Sequence, residues 1–177
     1  MSDPIVFAAL ECDEAVRRQS LLLQEELRRR TEGSYPRAEN FHVTLFFFGR
    51  MKAAHLGMVR DIFSKQPLPC CALTFSSLAR FEGSKGDTIL YQAEPQEELS
   101  ACHSQLSAEF AKARIPFDAK PFVPHVTLVR AKMKNVPISD IMVPKLVMRV
   151  DHAVLFESIQ DRGRQIYRPI WPLKDTD

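Results

Sequence analysis

The sequence predicts an α+β fold built on antiparallel strands, and three observations predict it. Apolar or alternating runs of strand length outnumber the stretches with helical spacing. Two pairs of those runs are joined by turn residues, at 83–87 and at 161–164, which reads as two hairpins. One tetrapeptide also occurs twice in a strand context, as His42-Val43-Thr44-Leu45 and as His125-Val126-Thr127-Leu128. That duplication suggests two similar lobes meeting at a cleft, within a single domain over 1–177 to which each lobe supplies one motif. The remainder of the two halves carries no obvious repeat.

The elements follow in order. Residues 5–10, Ile-Val-Phe-Ala-Ala-Leu, form an apolar run that reads as a buried strand. Asp13 is a helix N-cap, and 14–30 has helical spacing through Val16, Leu23 and Leu27. Arg28, Arg29 and Arg30 suit the negative pole of that helix; they read as a solvated end first and an RNA-backbone contact second. A loop with Gly33 and Pro36 leads to the first motif strand, which ends at Gly49. A helix is expected over 53–64, a strand from 70 to about 81, and its return over 88–93. Pro95 opens a helix near its first position, running to about Ala113. The segment 114–124, with Pro116, Pro121 and Pro124, is an extended loop delivering the second motif. One long strand is expected over 146–159, and a last strand over 165–171.

Composition removes several function classes. Among 177 residues, 45% are hydrophobic and 26% charged, as in an ordinary globular chain. The net charge of +2 excludes a histone-like nucleic-acid binder but allows a local basic patch. The start, Met1-Ser2-Asp3-Pro4, has no basic leader region, and no apolar run approaches a membrane span. Cys12, Cys70, Cys71 and Cys102 form no CxxC pair, so reduced thiols in a cytoplasmic protein are expected. Metal-site and P-loop signatures are absent, so neither a metal nor another cofactor is expected.

The chemistry lies in the repeated tetrapeptide. In a strand, residues i and i+2 project from one face, so each copy sets an imidazole beside a hydroxyl. Two facing pairs would surround a small anion with two acid/base groups and two neutral donors. Phosphodiester hydrolysis needs a base for the nucleophile and an acid for the leaving oxygen, and histidine serves as either near neutral pH. Thr44 and Thr127 would donate to the non-bridging phosphate oxygens, where transition-state charge is held. A single His-x-Thr is usually a satisfied polar pair; two identical copies in matching contexts point to function. His55, His103 and His152 have no such partner and read as structural.

Three further positions are candidates. Arg130 follows the second motif and suits phosphate binding, although strict alternation puts it on the face opposite His125 and Thr127. Phe46 and Phe48 share parity with His42 and Thr44, which makes them candidates for stacking on a base. Tyr35 and Arg37 precede the first motif and are candidates for ribose or backbone contact.

The paired motifs resemble the double H-x-T-x signature of the two-histidine phosphoesterase superfamily. Within it, the chain resembles the RNA 2',3'-cyclic phosphodiesterase family, first described as 2'-5' RNA ligase. The first strand, Asn40-Phe41, Phe48-Gly49, Pro124, Leu155-Phe156-Glu157-Ser158, Gly163 and Tyr167 extend the likeness over nearly the whole chain. The resemblance implies a bilobal fold with two antiparallel sheets, flanked by helices, around a pseudo-twofold cleft. It implies metal-independent opening of an RNA 2',3'-cyclic phosphate to a 2'-phosphate, with His42 the proton donor and His125 the acceptor. Run in reverse, the site would join a 5'-hydroxyl in a 2'-5' linkage. The expected partner is RNA with a cyclic phosphate end, or a small nucleotide, with no membrane and no obligate protein partner, the protein acting as a monomer. Alternatives that stay open are action on another small cyclic phosphate and a non-catalytic RNA-end or nucleotide-binding module.

Overall fold

A computed structural model describes residues 3–172; Met1 and Ser2, part of the start read above, lie outside them. The elements are β1 (Ile5–Glu11), α1 (Glu14–Arg28), β2 (Gly33–Ser34), a 3₁₀ turn (Ala38–Asn40), β3 (His42–Arg50), α2 (Ala53–Lys65), β4 (Cys71–Phe81), β5 (Thr88–Ala93), α3 (Glu97–Lys112), β6 (His125–Ala131), β7 (Leu146–Val150), β8 (Val154–Asp161) and β9 (Arg164–Trp171). Every strand pairing is antiparallel. Their order is β7-β4-β5-β6-β3-β1-β8-β9, with β2 paired to β6.

The middle of that order is its weakest joint. Between β3 and β6 only Val43 pairs with Val126, so the strands form two halves, β7-β4-β5-β6 with β2 and β3-β1-β8-β9, that part on either side of this contact. Each motif supplies its valine to the joint. The three helices cover one face and reach across it. Asp13 caps α1 by accepting the Val16 N–H at 2.8 Å, and α1 buries Val16, Leu23 and Leu27. Its buried Gln24 donates at 2.9 Å both to Leu128 O on β6 and to Pro36 O. From α2 and α3, Phe63 and Phe110 meet Phe46 of β3 edge-on, with ring centroids 6.4 and 4.9 Å away. A single apolar core thus takes residues from both halves and all three helices. Burying each such large side chain stabilises the fold by roughly 1.5–3 kcal/mol. A second, smaller cluster of Phe7, Ala9, Val154, Phe156 and Tyr167 forms separately from it.

Two expectations need correction. The run 146–159 is not one strand: β7 pairs with β4 and β8 with β1, in opposite halves of the sheet. Asp151 and His152, both exposed and joined at 2.5 Å, interrupt the alternation and let the chain cross over. Pro95 lies before the cap of α3, since the side chain of Gln96 accepts the Leu99 N–H at 2.6 Å. The basic end of α1 is engaged within the protein. Arg28 covers the Tyr35 ring at 3.9 Å, Arg29 meets Glu26 at 2.8 Å, and Arg30 meets Asp140 at 2.6 Å.

Both motif strands carry a bulge at the same place. In β3, Thr44 pairs with Ala9 and Phe46 with Ala8, leaving Leu45 extra; in β6, Thr127 pairs with Leu90 and Val129 with Ile89, leaving Leu128 extra. An extra residue inverts the facing of everything after it. Leu45 and Phe46 are therefore both buried, as are Leu128 and Val129, and the next residues, Phe47 and Arg130, turn outward.

Candidate active site

The Val43–Val126 pair acts as a local twofold centre. With antiparallel strands, it sets His42 alongside Thr127 and Thr44 alongside His125. The two imidazoles are held by the same device. His42 Nδ1 lies 2.7 Å from the Asn40 carbonyl and His125 Nδ1 lies 2.6 Å from the Val123 carbonyl. A carbonyl only accepts, so both Nδ1 atoms carry the proton and both Nε2 atoms are left for chemistry. Nε2 of His42 accepts from the Thr44 hydroxyl at 2.9 Å. The carbonyl that orients His42 is itself fixed. Asn40 is buried and donates to Gln165 O at 2.8 Å, and Arg17 holds the 3₁₀ turn through Ala38 O and Cys12 O.

The surroundings of the two rings differ. Phe7 and Tyr167 pack on His42, with centroids at 5.0 and 5.2 Å, whereas His125 meets Phe81 at 5.3 Å. Burial pushes His42 down to about 4; the Asn40 hydrogen bond opposes this, and the charges of His125 and Arg130 add to it. His125 is also lowered by burial, against the Val123 bond and with Arg130 again lowering it. A group with its pKa at about 4 is neutral at neutral pH, and an anion bound beside the ring would raise that value.

The cleft has two mouths. One, of about 150 Å³, is lined by His42, Thr44, Thr127, Arg130, Phe47 and Tyr167 among others. The other, of about 160 Å³, is lined by His125, Phe81, Phe122 and His103, and shares Thr44 and Phe47 with the first. Arg130 therefore lies on the same side as the motif side chains, because the bulge at Leu128 reverses strict alternation. It forms no ion pair with a carboxylate among the described residues.

The same geometry overturns the stacking assignment of Phe46 and Phe48. They are 2% and 5% exposed, stack against one another and meet Phe110 edge-on in the core. Phe47 faces the cleft instead, at 46% exposure, and Phe81 is similarly exposed at 45%. Sequence parity missed Phe47 for the reason that it misplaced Arg130. Tyr35 is pinned between Arg28 and the Thr31 carbonyl, while Tyr167, Asn40 and Ser158 line the His42 mouth. His103, in the wall of the His125 mouth, is locked between Phe46 and Phe122, its Nε2 donating to Leu45 O at 2.9 Å. Among the described residues, no three His, Cys, Asp or Glu side chains cluster to hold a metal ion, and no helix is long and apolar enough to cross a membrane.

The family model of the 2'-5' RNA ligase superfamily matches residues 13–162. The RNA 2',3'-cyclic phosphodiesterase of Thermotoga maritima is 24% identical over 173 residues, which cover 93% of this chain and 92% of that protein. In three dimensions the chain is similar to TT0787 of Thermus thermophilus, with a TM-score of 0.78, 22% identity and 94% of each chain covered. It is likewise similar to E. coli LigT complexed with 3'-AMP, with a TM-score of 0.75, 20% identity and 96% of each chain covered.

Proposed function

The chain belongs to the 2'-5' RNA ligase superfamily, and from that membership and its cleft we propose that it opens 2',3'-cyclic phosphate ends of RNA to 2'-phosphates. The observation that carries this reading is that His42 shares one hollow with Thr127, and His125 the other with Thr44, on either side of the single Val43–Val126 pair. An in-line displacement at phosphorus needs a base on one side and an acid on the other, with donors between them. This arrangement supplies all three.

Water attacks phosphorus as Nε2 of His125 takes its proton. The bond from phosphorus to the 3' oxygen breaks, and Nε2 of His42 protonates that oxygen. Exchange with solvent then returns the two rings to their starting states. Thr44 and Thr127 donate to the non-bridging oxygens, and Arg130 balances the charge that gathers there. A histidine as strongly desolvated as His42 is a strong acid once the substrate anion has brought it a proton. Phe47, reaching both mouths, faces the nucleobase. With a 5'-hydroxyl in place of water, the reverse reaction forms a 2'-5' linkage. The chemistry is metal-independent in this reading, and one chain completes the site, so the protein acts as a monomer without an obligate partner. Four unpaired cysteines fit a reducing, cytoplasmic setting.

The test is turnover of adenosine 2',3'-cyclic phosphate in EDTA, with the 2'- and 3'-phosphate products resolved. A 2'-phosphate is expected, with His42→Ala and His125→Ala each lowering the rate by roughly 10²–10⁴. Near-wild-type turnover in either variant, or abolition by EDTA, overturns the assignment.

A further inference from the structure

Beyond the His42 mouth lies a groove of about 460 Å³, three times the catalytic hollow, that the reaction on the cyclic phosphate does not use. It shares Asn40, Arg130 and Tyr167 with the cleft, so the two are continuous. Arg37 and Arg164 stand along it with Arg130, and among the described residues no carboxylate lines it. Glu39, just outside, meets Nε of Arg37 at 2.8 Å, which leaves the terminal nitrogens of that guanidinium unclaimed by it. Arg164 opens β9 on an exposed hairpin. Three arginines in one groove are a local concentration in a chain whose net charge is only +2.

Position decides what the groove receives. It opens from the His42 side, where the proposed mechanism places the departing ribose oxygen. The His125 side, where the nucleophile arrives, opens on the separate hollow with Phe81 and Phe122. The strand that enters the groove is therefore the one that carries the cyclic phosphate. We propose that this groove binds the phosphodiester backbone of the nucleotides preceding the cyclic end, through Arg37 and Arg164, and so makes the protein prefer oligonucleotide ends to mononucleotides. This rests on the cyclic-phosphate reading of the cleft.

The experiment compares kcat/KM for adenosine 2',3'-cyclic phosphate with that for a tetranucleotide ending in the same group. It uses the wild-type protein and R37A/R164A over a series of KCl concentrations. The wild type is expected to favour the tetranucleotide tenfold or more, mainly through KM. Its log–log salt dependence should be steeper than for the mononucleotide by roughly 1.4, from two contacts at about 0.7 each on a single strand. In the double variant both the preference and the extra slope should collapse. A wild-type ratio near one, or a preference that survives in R37A/R164A, overturns the proposal. If the wild type opens neither substrate, the reading of the cleft fails. The groove is then judged by fluorescence anisotropy with a 3'-hydroxyl tetranucleotide, and binding that is absent or insensitive to the double variant overturns it.

Discussion

Phe46 and Phe47 are adjacent, identical in chemistry and opposite in consequence. Phe46 sits in a cage of Phe48, Phe63, Phe110 and Phe117, so Phe46→Ala should cost about 3–5 kcal/mol of stability in denaturant unfolding. Phe47→Ala removes an exposed ring and should leave stability within about 0.5 kcal/mol while raising KM for a cyclic-phosphate substrate. A reversed ranking of the two in the unfolding midpoints would contradict the bulge. His42 makes the second prediction. Folding holds it at about 4, so the unfolded chain binds the more protons. Its contribution to stability is present above about 6.5 and is lost as pH falls toward the folded value, a total of roughly 3 kcal/mol. An anion in the cleft acts in the opposite sense and draws a proton onto the ring. Affinity for sulfate, whose charge is constant over this range, should therefore rise as pH falls from neutral toward about 4. Calorimetry should show proton uptake that His42→Asn removes; equal uptake in that variant would assign the proton elsewhere.

At the scale of the element, the motif strands are recognised by their bulges as much as by their residues. An unbulged β6 would hide Arg130 behind the sheet, and the two-residue strand β2 helps to hold it where it is. Ser34 pairs with Arg130 and Gly33 with Ala131. A Cβ on Gly33 would meet Arg130 O at 2.4 Å and the Ala131 Cα at 2.9 Å, both backbone atoms that cannot yield alone. Gly33→Ala should lift β2 from β6, cost about 1–3 kcal/mol and lower kcat/KM by displacing Arg130. A variant with unchanged midpoint and kinetics would show that β2 has no part in placing that arginine. The break between β7 and β8 is the element that alternation reads worst. Leu146, Met148 and Val150 alternate with more exposed residues in β7, and only the exposed pair Asp151 and His152 separates them from the continuous buried apolar run 153–156 that opens β8.

For the whole molecule, the narrow joint between the half-sheets is offset by the helices. One core runs through both halves, and Gln24 ties α1 to the second motif strand and to the loop before the first. The chain should therefore unfold as a unit, in keeping with a single domain. Fluorescence of Trp171, packed near Phe63 of α2, and far-UV circular dichroism should give coincident urea transitions. Two separated transitions would mean that the halves unfold independently. This scale also marks how far the sequence could be read. The α+β class, the hairpins and both copies of His-Val-Thr-Leu were legible because periodicity, turn chemistry and residue identity are local properties. The side on which Arg130 emerges, the exchange of Phe46 and Phe48 for Phe47 in the cleft, the parting of β7 from β8 and the groove beyond His42 were decided by the tertiary structure alone. Each depends on register against a partner strand or on what lies across a seam, and a bulge exists only relative to the strand beside it.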